Sequence, residues 1–385
     1  MSLRALISLA KSEGASDLHL EPGLAAALRV RGSLRSVGEP LRGDVLLEAA
    51  RDLIGADEWP QFLQRRSFDT SRTMEGVRCR INILHTSRGV GFAIRLLPGF
   101  QLSLEALNLH PSLKQMVQHQ HGLVLISGPT GSGKSTTLAA LIQTLNGGEA
   151  RHIVTIENPI EYTFRPKTAF IRQREVGRDT PSFEQALLDS LREDPDVLMV
   201  GEMREPETMR LTLNAAETGH LVLATVHSAN CAEALQRVVS AFPAEIQSSV
   251  AAQLADCLIG VVSQRLQFRP AVNQLIPECE VLTATHPIKN FIRNRDFFKI
   301  QSSIETGAEH GMWTYARYRG WLDKRTQFNT LAVEPEAEPD QERAVPLPAP
   351  APPPETASVK PKAAAPGRIE IEPVEDFDRI LKRPS

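Results

Sequence analysis

Over residues 1 to 97, apolar and polar positions alternate in short runs. In SDLHLE, Leu18 and Leu20 face one way and Asp17 and His19 the other; in GVRCRINILH, Val77, Cys79 and Ile81 share one face while Arg78 and Arg80 share the opposite one. This is the period of two that half-buried strands require. ALRVRGSLR and VGFAIRLLP read as further strands, and GDVLLEAARDLI repeats like a helix. The pattern predicts a small α+β domain over residues 1–97, with one sheet face packed and the other charged. Pro98-Gly99 closes it. LSLEALNLHPSLKQMVQH then reads as a capped helix, a break at Pro111 and a second helix, so residues 98–110 are the expected inter-domain linker.

From Gly122 the texture changes to runs that are apolar throughout: LVLI, HIVTI, DVLMV and HLVLATV. Helical segments such as SFEQALLDSLR, PETMRLTLNAAE and CAEALQRVVSAF separate them. Fully apolar strands alternating with helices predict an α/β domain, residues 111–329, whose parallel sheet is covered on both faces and places its chemistry at the strand carboxyl ends. Near Thr330 the pattern stops. Residues 330–368 string together proline, alanine and acidic side chains, the composition of a stiff disordered linker. At the very end, Ile369, Ile371, Val374, Phe377, Ile380 and Leu381 restore apolar spacing, so residues 369–385 read either as a tethered docking peptide or as a chance cluster in a disordered tail.

Composition narrows the class. Of 385 residues, 42% are apolar and 23% charged, which suits a soluble globular protein of two domains. With 43 Lys+Arg against 46 Asp+Glu the net charge is -3, and residues 331–385 hold 7 basic against 11 acidic residues, so the folded part is nearly neutral. A dedicated nucleic-acid binder would carry a strong positive field, and no nucleic-acid partner is expected. No apolar run approaches the roughly 18 to 20 residues of a membrane span, and the start MSLRALISLAKSEG lacks a signal peptide's apolar region and cleavage site, so the expected location is cytoplasmic. Cys79, Cys231, Cys257 and Cys279 are far apart and form neither a disulfide framework nor a zinc knuckle.

The strongest chemical signal is Gly128-Pro129-Thr130-Gly131-Ser132-Gly133-Lys134-Ser135-Thr136, which fits G-x-x-x-x-G-K-[ST] directly after the strand LVLIS and before the helix TTLAALIQTL. Its glycines let backbone N–H groups curl around phosphate oxygens, Lys134 brings a point charge to the β and γ phosphates, and the Ser135 hydroxyl can ligate Mg2+. Hydrolysis needs in addition a carboxylate at another strand end. Glu202, directly after VLMV, offers one, and Glu157 and Glu161 flank a proline turn after HIVTI. In GHLVLATVHS, His227 stands at the carboxyl end of a buried strand, placed to sense a γ-phosphate, and His220 at the other end reads equally as a capping residue. Their spacing of seven makes no metal site.

Four ordered segments resemble the secretion-superfamily ATPases, and within them the type IV pilus retraction motors of the PilT and PilU kind: GPTGSGKSTTLAAL, the acidic box TIENPIEY, the Walker B region REDPDVLMVGEMREPET and the histidine box AAETGHLVLATVHS. With GASDLHLEPG, IRQREVGRDT and RVVSAFPAE the likeness covers about residues 1 to 315. The resemblance implies a hexameric ring of subunits, each with a PAS-like N-terminal domain and a RecA-like ATPase domain, with ATP bound between them. It implies that Lys134 and Ser135 hold phosphate and Mg2+, that Glu202 is the base that activates water, and that Glu161 is the carboxylate near the metal. His220 and His227 would fill the histidine box, and Arg80 and Arg95 of the N-terminal domain would neutralise transition-state charge. The implied metal set is Ser135, Glu161 and Glu202, and the implied cofactors are ATP and Mg2+. The implied partners are an inner-membrane pilus platform protein and a second motor ATPase, the ring being peripheral to the inner membrane.

Three departures stand out. Asn158 replaces the middle carboxylate of the Glu-Asp-Pro box. His286-Pro287-Ile288-Lys289-Asn290-Phe291-Ile292-Arg293 replaces the A-I-R-N-L-I-R loop of retraction motors, with a lysine that cannot reproduce a bidentate guanidinium. The proline-rich tail stands where the last helices would be. The expected function is pilus retraction and twitching motility driven by ATP hydrolysis, the alternatives being an extension or secretion ATPase or an accessory motor, and more remotely a non-hydrolysing scaffold or a RecA-like helicase.

Overall fold

The computed structural model describes residues 2–30, 32–97 and 103–329. The first residues of the expected linker, 98–102, and the whole proline-rich tail with its terminal peptide, 330–385, lie outside the described residues. Among the described residues no helix is long and apolar enough to cross a membrane.

Period-two alternation builds the first sheet. Strands β1 (Ala15–Leu20), β2 (Ala26–Val30), β3 (Ser33–Val37), β4 (Ser67–Met74), β5 (Val77–Thr86) and β6 (Gly89–Leu97) lie in the order β3-β2-β1-β6-β5-β4, every pair antiparallel. ALRVRGSLR thus becomes two strands of a hairpin, bent where Gly32 takes φ +82°. Helices α1 (Leu3–Ser12), α2 (Gly43–Ile54) and α3 (Trp59–Arg65) cover one face, where Leu18, Leu20, Cys79, Ile81 and Ile94 are buried with Leu6, Leu46 and Phe62. The opposite face carries Asp17, Arg95 and Arg80, aligned across β1, β6 and β5.

The capped helix expected in LSLEALNLH does not form over its described residues, 103–110: residues 104–108 are turns, and only a single helical turn, α4 (Leu113–Met116), follows Pro111. The cause is tertiary. Buried Asn108 adopts φ +58° and exchanges hydrogen bonds with the Asn329 backbone, its Nδ2 donating to the carbonyl (3.0 Å) and its Oδ1 accepting from the N–H (2.9 Å). A left-handed residue held in this way interrupts the helical ladder.

The second sheet comprises β7 (Gly122–Ser127), β8 (His152–Glu157), β9 (Phe170–Glu175), β10 (Val197–Val200), β11 (Leu221–Val226), β12 (Leu258–Arg269) and β13 (Gln274–Thr283), in the order β13-β12-β7-β11-β10-β8-β9. All pairs are parallel except the β12–β13 hairpin. Helix α5 (Lys134–Gly148) packs on one face, where Val124, Ile126, Val197 and Leu223 are buried. On the other face, α6 (Phe183–Ser190), α7 (Pro206–Glu217), α8 (Cys231–Ser240), α9 (Gln247–Cys257), α10 (His286–Arg293) and α11 (Ile300–Thr306) cover Leu123, Leu125, Leu198 and Val222. Helix α12 (Tyr315–Asp323) returns to the α5 side with fully buried Tyr318, whose hydroxyl accepts from the His110 N–H (2.8 Å). All four cysteines are buried; burial pushes the Cys257 and Cys279 thiols up to about 12 and Cys231 well above its ordinary value.

Candidate active site

The carboxyl ends of β7, β8, β10 and β11 lie side by side in the parallel sheet, and each carries one of the sequence-derived boxes. After β7 the chain turns through Gly128 to Gly133 into α5. Gly131 and Gly133 take φ +77° and +86°, and a Cβ on Gly133 would meet Gln264 Nε2 at 2.8 Å. Lys134, 8% exposed, donates Nζ hydrogens to the carbonyls of Gly128 (2.9 Å) and Pro129 (3.0 Å). Ser132 Oγ is buried and has no hydrogen-bond partner among the described residues. An orphaned hydroxyl in a glycine-rich turn that also carries a buried lysine fits a loop made for phosphate oxygens.

Gln264 of β12 ties this loop to the sheet, its Nε2 donating to Ser132 O (2.6 Å) and its Oε1 accepting from Thr137 Oγ1 (2.6 Å). The sequence reading missed it. The available signal was a polar pair, Ser263-Gln264, inside the otherwise apolar run LIGVVSQRLQF. Beside the loop lies a cavity of about 180 Å³ walled by Leu107, Gly133, Thr136, Leu266, Leu275 and Pro277. A larger cavity, about 340 Å³, lined by His119, Asp256, Lys289 and His310 among others, contains none of the box residues.

Glu202 follows Gly201 at the end of β10. The turn is fixed by β11: Thr225 Oγ1 donates to Gly201 O (2.6 Å), and the Met203 N–H donates to Thr225 O (3.0 Å). Glu202 Oε1 lies 2.8 Å from His227 Nε2 and 2.7 Å from Arg204 Nε. His227 Nδ1 is 3.4 Å from Lys134 Nζ. These partners select the tautomer with the proton on Nε2, which donates to Glu202 while Nδ1 accepts from Lys134. Burial and the Lys134 charge hold His227 below its ordinary value, so the ring is neutral at pH 7. Burial pushes the Glu202 carboxyl up, but the Arg204 hydrogen bond with the charges of Arg204, His227 and Lys134 outweighs it and holds the group below its ordinary value. Burial also lowers Lys134, against the opposing pull of Glu202 and Glu161.

Glu157 ends β8 inside the protein, its Oε1 accepting from Thr155 Oγ1 (2.8 Å) and Gln173 Nε2 (3.1 Å). Burial pushes its carboxyl up to about 7. The folded protein therefore binds this proton more tightly than the unfolded chain does. The associated stability is complete below the ordinary carboxylate range and is lost as pH rises through about 7, at a cost of about 3 kcal/mol. Glu157→Gln removes that loss. Thermal unfolding without nucleotide will show variant and parent nearly matched at pH 5, with the variant more stable at pH 8.5; a gap independent of pH would refute the titration.

The structure thus links Lys134 through His227 to Glu202 and places the Glu161 charge where it acts on Lys134. His220 is not part of this group. It sits before β11, its Nδ1 bonded to Ala215 O (3.0 Å), roughly 20 Å of strand away from His227. Arg80 and Arg95 neighbour one another on the exposed face of the first sheet; Arg95 pairs with Asp17 (3.0 Å), and Arg80 makes no ion pair among the described residues. In the loop resembling the retraction motif, Lys289 donates to Asp256 O (3.1 Å) and Arg293 pairs with Asp256.

A family model for type II/IV secretion system proteins matches residues 1–320. The chain belongs to that family. Within it the chain is a PilT-like P-loop ATPase that binds nucleotide and hydrolyses ATP. It is 40% identical over 316 residues to the type IV pilus retraction ATPase PilT of Pseudomonas aeruginosa, covering 82% of this chain and 92% of that protein. It is 34% identical to the type IV pilus ATPase PilU of the same species, covering 82% and 83%. Among solved structures, the pilus retraction motor PilT with bound ADP superposes with a TM-score of 0.74 at 34% identity, covering 83% of this chain and 96% of that one. The ATPase DotB of Legionella pneumophila gives 0.69 at 25% identity, covering 83% and 94%.

Proposed function

We propose that this chain is the subunit of a hexameric cytoplasmic motor, peripheral to the inner membrane, that couples ATP hydrolysis to type IV pilus retraction. The observation that carries the reading is the contact chain Lys134–His227–Glu202, which links the phosphate lysine through a neutral imidazole to an ionised carboxylate at the neighbouring strand ends. A group that reads phosphate charge at one end and holds a base at the other suits hydrolysis rather than storage of nucleotide.

In this reading the backbone of Gly128 to Thr136 and the Lys134 ammonium hold the phosphates, and the apolar cavity beside Gly133 takes the base. Glu202 accepts the proton of the attacking water. His227 keeps that carboxylate aimed and responds to the γ-phosphate through Lys134. Ser135, Glu161 and Glu202 hold Mg2+ directly or through its waters. When bound, the metal neutralises charge on the β and γ oxygens. Arg80 and Arg95 supply positive charge to the transition state, His220 caps its strand, and the ring acts on a membrane platform protein, with a second motor as partner.

The test uses cells expressing the native chain, no chain, or Glu202→Gln, scored for surface pili and their retraction. Pili that accumulate without retracting in both altered strains support the reading. Loss of pili in both would make the protein an extension motor, and unaltered retraction in both would make it an accessory one.

A further inference from the structure

Ile160 immediately precedes Glu161, and side chains hold both of its backbone groups. Its N–H donates to Glu175 Oε2 (3.2 Å), and its carbonyl accepts from Arg78 Nε (3.2 Å) and Nη2 (3.1 Å). That carbonyl belongs to the same planar unit as the N–H of Glu161, so the guanidinium fixes the plane from which the Glu161 side chain departs. The same Nη2 donates to Ser71 Oγ (2.6 Å), and Ser71 Oγ donates to Glu175 Oε2 (2.7 Å), with Arg78 and Glu175 3.7 Å apart. Ser71 and Arg78 belong to β4 and β5 of the first sheet, while Ile160 and Glu175 belong to the ATPase fold. All three side chains are buried: Ser71 0%, Arg78 5% and Glu175 4% exposed.

An apolar contact would join the two parts at least as firmly, because a buried ion pair must first recover the cost of leaving water. What a fork of donors on a carbonyl adds is direction. We propose that Arg78, oriented by Ser71 and Glu175, is a positioning residue for Glu161, so that the placement of the N-terminal sheet sets where the acidic-loop carboxylate points. The proposal rests on the reading of Glu161 as the carboxylate beside the metal. A shift of the N-terminal sheet would then withdraw Glu161 without disturbing the phosphate loop, giving turnover a mechanical input.

The experiment is a double-mutant cycle on the full chain with Arg78→Gln, Glu161→Gln and both together. Steady-state ATP hydrolysis is followed as Mg2+ is varied, and the affinity for a fluorescent ADP analogue is measured without metal. Misplacing a catalytic group by an ångström costs about 10²-fold, and Arg78→Gln is expected to lower kcat on that scale. It should also raise the Mg2+ concentration for half-maximal rate and leave metal-free ADP affinity unchanged. The double variant should be no slower than Glu161→Gln alone, because the two residues act through one group. Losses that multiply, or an unaltered kcat in Arg78→Gln while Glu161→Gln is impaired, would overturn the positioning role alone. Glu161→Gln with native rate and metal dependence would overturn the Glu161 reading and the proposal with it. Should Arg78→Gln not fold, Ser71→Ala, which spares the ion pair, must show the same metal signature at smaller size; native metal dependence in Ser71→Ala then rejects the proposal.

Discussion

Glu202→Gln will slow ATP hydrolysis by about 10² to 10⁴-fold, the range over which a positioned general base contributes, while nucleotide affinity stays near that of the parent. Glutamine keeps the volume of the side chain, and its amide oxygen still accepts from His227 Nε2 and Arg204 Nε, now 2.8 and 2.7 Å from the carboxylate. The phosphate loop, held by Gln264 and not by Glu202, is unaffected. What disappears is the negative charge that takes the proton of water. Single-turnover hydrolysis alongside equilibrium binding separates the two effects: an unaltered rate would remove Glu202 from the chemistry, and a parallel loss of binding would make it a structural carboxylate.

Gly128→Ala is expected to disable the loop and destabilise the fold together. The residue takes φ +148°, and an added Cβ would lie 2.3 Å from the Gln264 carbonyl and 2.4 Å from Ser132 Oγ. The first neighbour is backbone of a central strand, so no rotamer change relieves it. Strain and steric cost of about 2 to 4 kcal/mol follow, with loss of measurable nucleotide binding. Gly131→Ala is the matched comparison: at φ +77° its Cβ meets nothing within 4 Å, leaving only a left-handed backbone penalty of about 1 to 2 kcal/mol. Chemical unfolding and nucleotide titration of both variants check the contrast, and equal effects would show that contact with Gln264 is not what constrains the loop.

Much of the ATPase sheet could be read from the chain because its information is local. The apolar runs became β7, β8, β10 and β11, and the boxes fell at their carboxyl ends as the parallel topology requires. The contacts that complete the site were not local. Gln264 reaches the loop from more than a hundred residues away, and nothing in a single sequence pairs them. Arg78 and Arg80 share one strand face by periodicity, yet one is buried against the Ile160 carbonyl and the other is exposed; only the packing of the second domain over one end of the strand distinguishes them. The segment before Pro111 has helical spacing but is bent by Asn108, whose partner Asn329 lies at the far end of the described chain.

The burial of the four thiols has a practical side. Nucleophilic attack by cysteine requires an accessible thiolate, and these groups are enclosed, with Cys257 and Cys279 held near 12. The native chain should therefore stay silent towards maleimide dyes while folded. A single cysteine introduced at an exposed position on each side of the Arg78–Ile160 junction would then carry donor and acceptor fluorophores without prior removal of the natural ones. Distance changes between the two parts of the subunit could be followed through a turnover cycle in an otherwise unaltered protein.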